Sequence, residues 1–216
     1  KLLSSINLSQ TICSGSASSV VNLSSEVTGT SFNWTATATG SITGFQSTGT
    51  NQTQLPSQTL FNSGTSPGTV TYTIVPISGG CSGPVSVYTI RVNPLPTATI
   101  SGNATVCYGA AAMLNVALTG TAPWTITYSD GTGFFTIAGI TTSSYSFAVN
   151  ATSTKTYTIA AVSDAICTNF GTGTATITQP SAPLNAASSV TSVSCFGGSD
   201  GTLTISNMSG GSGSYQ

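Results

Sequence analysis

Thr69-Val70-Thr71-Tyr72-Thr73-Ile74-Val75 sets hydroxyl-bearing and apolar side chains in turn along the chain. A two-residue period puts Val70, Tyr72 and Ile74 on one face and Thr69, Thr71, Thr73 and Val75 on the other. That is a strand with one side in a core and the other in water. Ser31 to Ala38, Val85 to Val92, Trp124 to Tyr128, Thr154 to Val162 and Thr172 to Ile177 read the same way. Clusters of Gly, Asn, Ser and Pro punctuate them, and no helical 3.6-residue period of useful length is found. The fold class is all-β.

The surroundings of this stretch occur twice. Cys13, in Gln10-Thr11-Ile12-Cys13-Ser14-Gly15, is followed by Trp34, Thr71-Tyr72-Thr73-Ile74 and Cys81. Cys107, in Ala104-Thr105-Val106-Cys107-Tyr108-Gly109, is followed by Trp124, Thr156-Tyr157-Thr158-Ile159 and Cys167. Four landmarks in one order, recurring after about 90 residues, make an internal repeat of sandwich-domain size. Pro94-Leu95-Pro96 separates the copies and Gln179-Pro180-Ser181-Ala182-Pro183 follows the second. Proline fixes φ and cannot donate to a ladder, so these clusters read as short semi-rigid linkers. The expected domains are residues 1–93, 97–179 and an incomplete third segment at 184–216.

Composition narrows the function. Of 216 residues only 3 are Lys or Arg and 4 are Asp or Glu, with no His, so 3% are charged. About 25% is usual. Ser and Thr supply about a third of the chain. Three dispersed cations (Lys1, Arg91 and Lys155) cannot track a phosphate backbone, which excludes nucleic acid as a partner. No apolar run approaches the length of a membrane span. Lys1-Leu2-Leu3 passes at once into a polar stretch, so the chain reads as a mature product or an excerpt of something longer.

Catalysis needs a tuned acid, base or nucleophile. Without His, and with acids scattered at Glu26, Asp130, Asp164 and Asp200, no Ser–His–Asp arrangement is possible, and no cofactor or catalytic residue is expected. Asp130 and Asp200 each precede a glycine, which turn geometry explains without calcium. Gly197-Gly198 and Gly210-Gly211 read as loop glycines and not as a phosphate cradle. Sequons stand at Asn7, Asn22, Asn33, Asn51, Asn103, Asn150 and Asn207, as a Thr-rich sequence produces by chance.

The repeat pairs Cys13 with Cys81 and Cys107 with Cys167, each pair within one copy. Loops of this size are worth roughly 4 kcal/mol in loop-closure entropy. Metal binding is the rival reading, but without His or a Cys-x-x-Cys there is little to complete a shell. Disulfides imply an oxidising, extracellular location. Cys195 is left over, so its partner is expected outside the segment, by continuation of the chain or from another chain. Trp34 and Trp124 sit where a sandwich buries an indole against its central disulfide, with a sugar-binding surface Trp as the alternative. Tyr72 and Tyr157 fit corner tyrosines, with a buried ring and a hydroxyl on backbone.

These residues carry a resemblance. Ser9-Gln10-Thr11-Ile12-Cys13-Ser14-Gly15, Phe32-Asn33-Trp34-Thr35-Ala36, Gly68 to Ile74 and Gly80-Cys81 resemble the PKD-like domains of very large Bacteroidetes surface proteins. Leu118-Thr119-Gly120-Thr121-Ala122-Pro123-Trp124-Thr125-Ile126, running on to Tyr128-Ser129-Asp130-Gly131, looks like a related Ig-like repeat of the same proteins. Ser194-Cys195-Phe196-Gly197-Gly198-Ser199-Asp200-Gly201-Thr202 resembles the start of the SprB-type repeat of gliding-motility adhesins, which normally has a second Cys near its far end. The Trp-Asp-Phe-Gly-Asp-Gly-like turn of PKD-type domains is absent from the first copy, and Ser129-Asp130-Gly131 only echoes it.

The resemblance implies tandem Ig-like and PKD-like β-sandwiches, export to the bacterial cell surface by the type IX route, and a part in adhesion, gliding or filament structure. Two roles follow. One is a stiff, disulfide-stapled structural segment that packs against neighbouring repeats of the same or identical chains. The other is an adhesive module that grips glycans or surfaces through loops, with Tyr108, Phe134 and Phe135 as contact aromatics. A third role, as an accessory domain to an enzyme, has no catalytic neighbour in the sequence to support it.

Overall fold

Gly68–Ser78 is an 11-residue strand, and its buried side is the one its alternation predicts: Val70, Tyr72 and Ile74 are at most 2% exposed. Around it a six-stranded sheet assembles in the computed structural model, which describes residues 9–179 and 185–210. Lys1-Leu2-Leu3, Asn7, the Pro180 to Pro183 linker and Gly211 lie outside the described residues.

The sheet runs Ser9–Cys13, Ser86–Asn93, Gly68–Ser78, Ser31–Thr39, Thr48–Gln52, with the short strand Cys81–Ser82 also on Gly68–Ser78. Ser9–Cys13 pairs in parallel with Ser86–Asn93, and the pairs between Gly68–Ser78 and its three partners are antiparallel. Ser16–Ala17, Thr59–Asn62 and Ile42–Thr43 form a second, three-stranded sheet. The core holds Phe32, Trp34, Leu60, Val70, Tyr72 and Ile90. Asn62, 7% exposed, satisfies its own amide: Nδ2 donates to Ser66 O and Val92 O, and Oδ1 accepts from Gly64 N. A buried amide without such partners is costly.

The second copy repeats the plan. One sheet orders Ala104–Thr105, Ala175–Thr178, Lys155–Ser163, Trp124–Ser129 and Phe134–Ile140, with Thr168–Asn169 also on Lys155–Ser163. Ala104–Thr105 is parallel to Ala175–Thr178. The other sheet is Thr97–Ser101, Ala111–Thr119 and Ser144–Asn150. Ala112, Leu114, Val116 and Leu118 are buried at every second position, a pattern the sequence reading passed over. Asn185–Thr191 and Thr202–Ser209 form a separate two-stranded sheet. The chain is all-β as expected, and among the described residues no helix is long and apolar enough to cross a membrane.

Two compact units result. One takes Lys1–Thr97 with Thr119–Thr125 and Val162–Asn169. The other takes Ala98–Leu118, Ile126–Ala161 and Phe170–Gln216.

Trp34, Tyr72, Trp124 and Tyr157 are all buried. Trp34 packs edge-on against Tyr72 at 5.4 Å between ring centroids, and no disulfide lies there. Gly49 stands opposite Trp34 in the ladder, and any Cβ on it would enter the indole. Trp124 donates from Nε1 to Thr119 O at 2.9 Å. Tyr72 is mid-strand, its hydroxyl beside the Gln58 side chain, and Tyr157 is near the start of Lys155–Ser163. Desolvation by burial pushes both phenols above their ordinary value.

Candidate functional site

The cysteines are where the chain departs most from its sequence reading. Cys13 is bonded to Cys167, while Cys81, Cys107 and Cys195 are free and exposed. The expected pairs Cys13–Cys81 and Cys107–Cys167 are therefore not formed.

Strand register gives the reason. Cys13 pairs with Asn93, one step beyond the pair Val92–Gly68, whereas Cys81 pairs with Ser78. Gly68 and Ser78 are the two ends of one strand, ten residues or about 33 Å apart. A disulfide needs Cα atoms within roughly 7 Å. The second copy has the same problem. Ala104, just before Cys107, pairs with Ile177, and Ile177 with Lys155; Cys167 follows a turn beyond Ser163 at the strand's other end. Lys155 and Ser163 are eight residues or about 26 Å apart. In each copy the two cysteines mark opposite ends of the sheet.

Both hairpin cysteines are placed alike. Cys81 follows the two-residue turn Gly79-Gly80, where φ values of 56° and 80° demand glycine. Cys167 follows the turn Ala165-Ile166, across which Asp164 N donates to Cys167 O at 2.9 Å. The Asp164 carboxylate fixes this turn. Oδ1 accepts from Ile166 N at 2.9 Å and Cys167 N at 2.7 Å, and Oδ2 accepts from Thr121 N at 3.1 Å. Burial raises the Asp164 pKa, and the three N–H donors outweigh that and hold it below the ordinary carboxylate value. Asn169 Nδ2 donates to Pro96 O at 3.0 Å, tying the strand after Cys167 to the first linker. Cys13, Thr121, Asp164 and Cys167 all belong to one compact unit.

The other acids serve turns. Asp130 Oδ1 accepts from Thr132 N, Thr132 Oγ1 and Gly133 N, and its other oxygen forms an ion pair with Lys155. The Lys155 ammonium, with these donors, holds the carboxyl far below its usual range. Asp200 accepts from Ser194 N at 3.0 Å in the loop that carries Cys195. Among the described residues no three metal-ligating side chains gather. Of the loop aromatics, Tyr108 and Phe134 are 60% and 72% exposed, while Phe135 stacks on Tyr128 at 5.2 Å between centroids.

Residues 10–96 match the PKD-like domain family. Residues 187–216 match the SprB repeat. Among curated proteins none matches the chain. A solved three-Ig structure of titin domains, an E-to-A mutated variant, is similar over 83% of this chain and 65% of its own length, at 12% identity and a TM-score of 0.42. The chain thus spans less than two thirds of that structure. PKD-like and SprB repeats are typical of extracellular surface proteins and are typically structural rather than catalytic modules. A disulfide suits the same oxidising surroundings.

Proposed function

We propose that this chain is a structural, non-enzymatic segment of a bacterial cell-surface protein whose repeats are linked to one another by covalent bonds. One observation carries this reading: the Cys13–Cys167 disulfide ties the first strand of one repeat to the hairpin of the next and closes neither repeat on itself. Such a bond gathers 154 residues of sequence separation into one closed loop, so tension on the chain passes through sulfur and leaves the strands inside that loop unloaded. The hydroxyl-coated, nearly uncharged surface adds little like-charge repulsion between neighbours.

Single-molecule pulling between handle domains tests it. Reduction is expected to add roughly 500 Å of extension, the contour length of those 154 residues. Equal extension with and without reductant would remove the load-bearing role.

Adhesion is the second reading, favoured by the exposure of Tyr108 and Phe134. A glycan array on which binding appears, and disappears in Tyr108→Ala or Phe134→Ala, would establish it over the structural role.

A further inference from the structure

We propose that Asp164 selects the partner of Cys167, by holding the turn before that cysteine in the shape and place from which it meets Cys13. The inference rests on the structural reading just given, which needs this one pairing out of all that five cysteines allow.

The turn has little else to hold it. Ala165-Ile166 is a two-residue hairpin connection, and such turns are favoured when their residues take positive φ. In the equivalent turn of the first copy Gly79 and Gly80 do so, and Ser78 stands at the place of Asp164. Neither Ala165 nor Ile166 has a positive φ, and Ile166 is 52% exposed. The Asp164 carboxylate supplies what the glycines supply in the first copy. Its Oδ1 accepts from both Ile166 N and Cys167 N, so the side chain itself shapes the turn.

The second oxygen sets where the turn sits. Oδ2 accepts from Thr121 N, 43 positions earlier in the chain. Gly120 keeps room for it: with φ at 107°, a Cβ there would come within 2.8 Å of Oδ2 and 3.1 Å of Pro96 Cβ. The ionised acceptor strengthens all three bonds. This turn is also the one that meets the partner sulfur, since Ile166 O lies 3.6 Å from Cys13 Sγ. Asp164 is therefore a positioning residue, acting on Cys167 through the backbone it holds.

Bond formation with glutathione disulfide as oxidant locates the step at which selection acts. The Cys13 thiolate attacks glutathione disulfide, forms a mixed disulfide and releases one glutathione thiolate. The Cys167 thiolate then attacks the Cys13 sulfur and releases the second. Two protein thiols are oxidised, one glutathione disulfide is reduced to two thiols, and the protons lost by the cysteines end on glutathione. The second attack is a competition, because Cys81, Cys107 and Cys195 are exposed thiols. A thiol already held at the site wins it through its effective concentration.

The test equilibrates the whole chain in glutathione redox buffers, quenches it with acid and maps the disulfides in the digest. The parent is expected to form Cys13–Cys167 ahead of every other pair. Asp164→Ala is expected to lower the effective concentration of Cys167 at Cys13 about tenfold. It should also divert Cys13 to Cys81, Cys107, Cys195 or glutathione. Asp164→Asn keeps an oxygen for Ile166 N and Cys167 N but none for Thr121 N, and is expected to fall between the two. Leu55→Ala, which removes buried volume outside either cysteine's strand, controls for lost stability alone and is expected to keep the parent's pairing. Asp164→Asn no better than Asp164→Ala, or a diversion in Leu55→Ala as large as in Asp164→Ala, would overturn the proposal. A parent without Cys13–Cys167 would overturn it together with the structural reading. An intact bond in the parent, with the same effective concentration and pairing in Asp164→Ala, condemns the selection and leaves that reading standing.

Discussion

Cys13 and Cys167, 154 residues apart in sequence, bring their Cα atoms to 5.8 Å and share a disulfide. In loop-closure entropy a crosslink of this span is worth about 5 kcal/mol, somewhat more than either bond expected within a copy. Its position matters more than its magnitude, because it fixes which variants are redundant.

Cys13→Ser and Cys167→Ser are each expected to cost about 2 to 5 kcal/mol. Both remove the same bond, so the double variant should cost little more than either single one. Under pairing within each copy, the double variant would break two bonds and its cost would be close to the sum. Urea denaturation of the three variants and the parent distinguishes the two patterns, and additivity would refute the bond described here.

The comparison shows what a sequence can and cannot carry. Alternation at Thr69 to Val75 located the central strand and its buried face because a two-residue period is a local property. The repeat exposed the copies for the same reason. Pairing of cysteines is not local. Equivalent residues in two copies suggest equivalent bonds, and nothing in that analogy measures the distance between opposite ends of a sheet. A signal was nonetheless present: the cysteine just after Gly79-Gly80 ends a hairpin, while Cys13 ends a strand at the linker side. Counting rises along Gly68–Ser78 would have separated them. Ala111–Thr119 and Ser144–Asn150 were missed because Ala and Ser fill many of their positions and mute the alternation.

The two tryptophans should respond differently to the same substitution. Trp34 is 3% exposed and packs on Tyr72, yet its Nε1 finds no partner among the described residues. Trp124 is 5% exposed and donates to Thr119 O. Replacing either by Ala should cost about 3 to 5 kcal/mol through the cavity left. Trp34→Phe loses packing only, whereas Trp124→Phe also strands a carbonyl, and should cost about 1 kcal/mol more. Equal losses in denaturant titrations would mean that Trp34 makes a hydrogen bond as well.

Part of the acid sensitivity should trace to Asp130. Its carboxyl is held low by Lys155 first, then by Thr132 and Gly133, so its stabilising contribution is full above the unfolded carboxylate pKa near 4. That contribution fades only as pH falls toward the depressed folded value. Lys155, raised mainly by Asp130, contributes fully below its unfolded pKa near 10 and loses that contribution as pH rises through the folded value. The Tm difference between the parent and Asp130→Asn should therefore be flat from about pH 5 to 9 and shrink outside that window. A difference that varies across neutral pH would place the responsible group elsewhere, since the sequence holds no His to titrate there.

The hairpin of Asn185–Thr191 and Thr202–Ser209 should be the least protected part of the described chain. Among the described residues its strands pair only with each other, and Val190 faces Leu203 across the ladder. Val190, Leu203 and Ile205 are 74%, 65% and 55% exposed, so among the described residues nothing covers the apolar side that alternation builds. Two strands without a covered face are marginally stable in water. Their amides should exchange with solvent far faster than those of Val70, Tyr72 and Ile74 in hydrogen-exchange mass spectrometry. Protection equal to that of the core at low protein concentration would show that the hairpin has found cover within its own chain. Protection that rises with concentration would instead identify pairing of its open edge with a second copy.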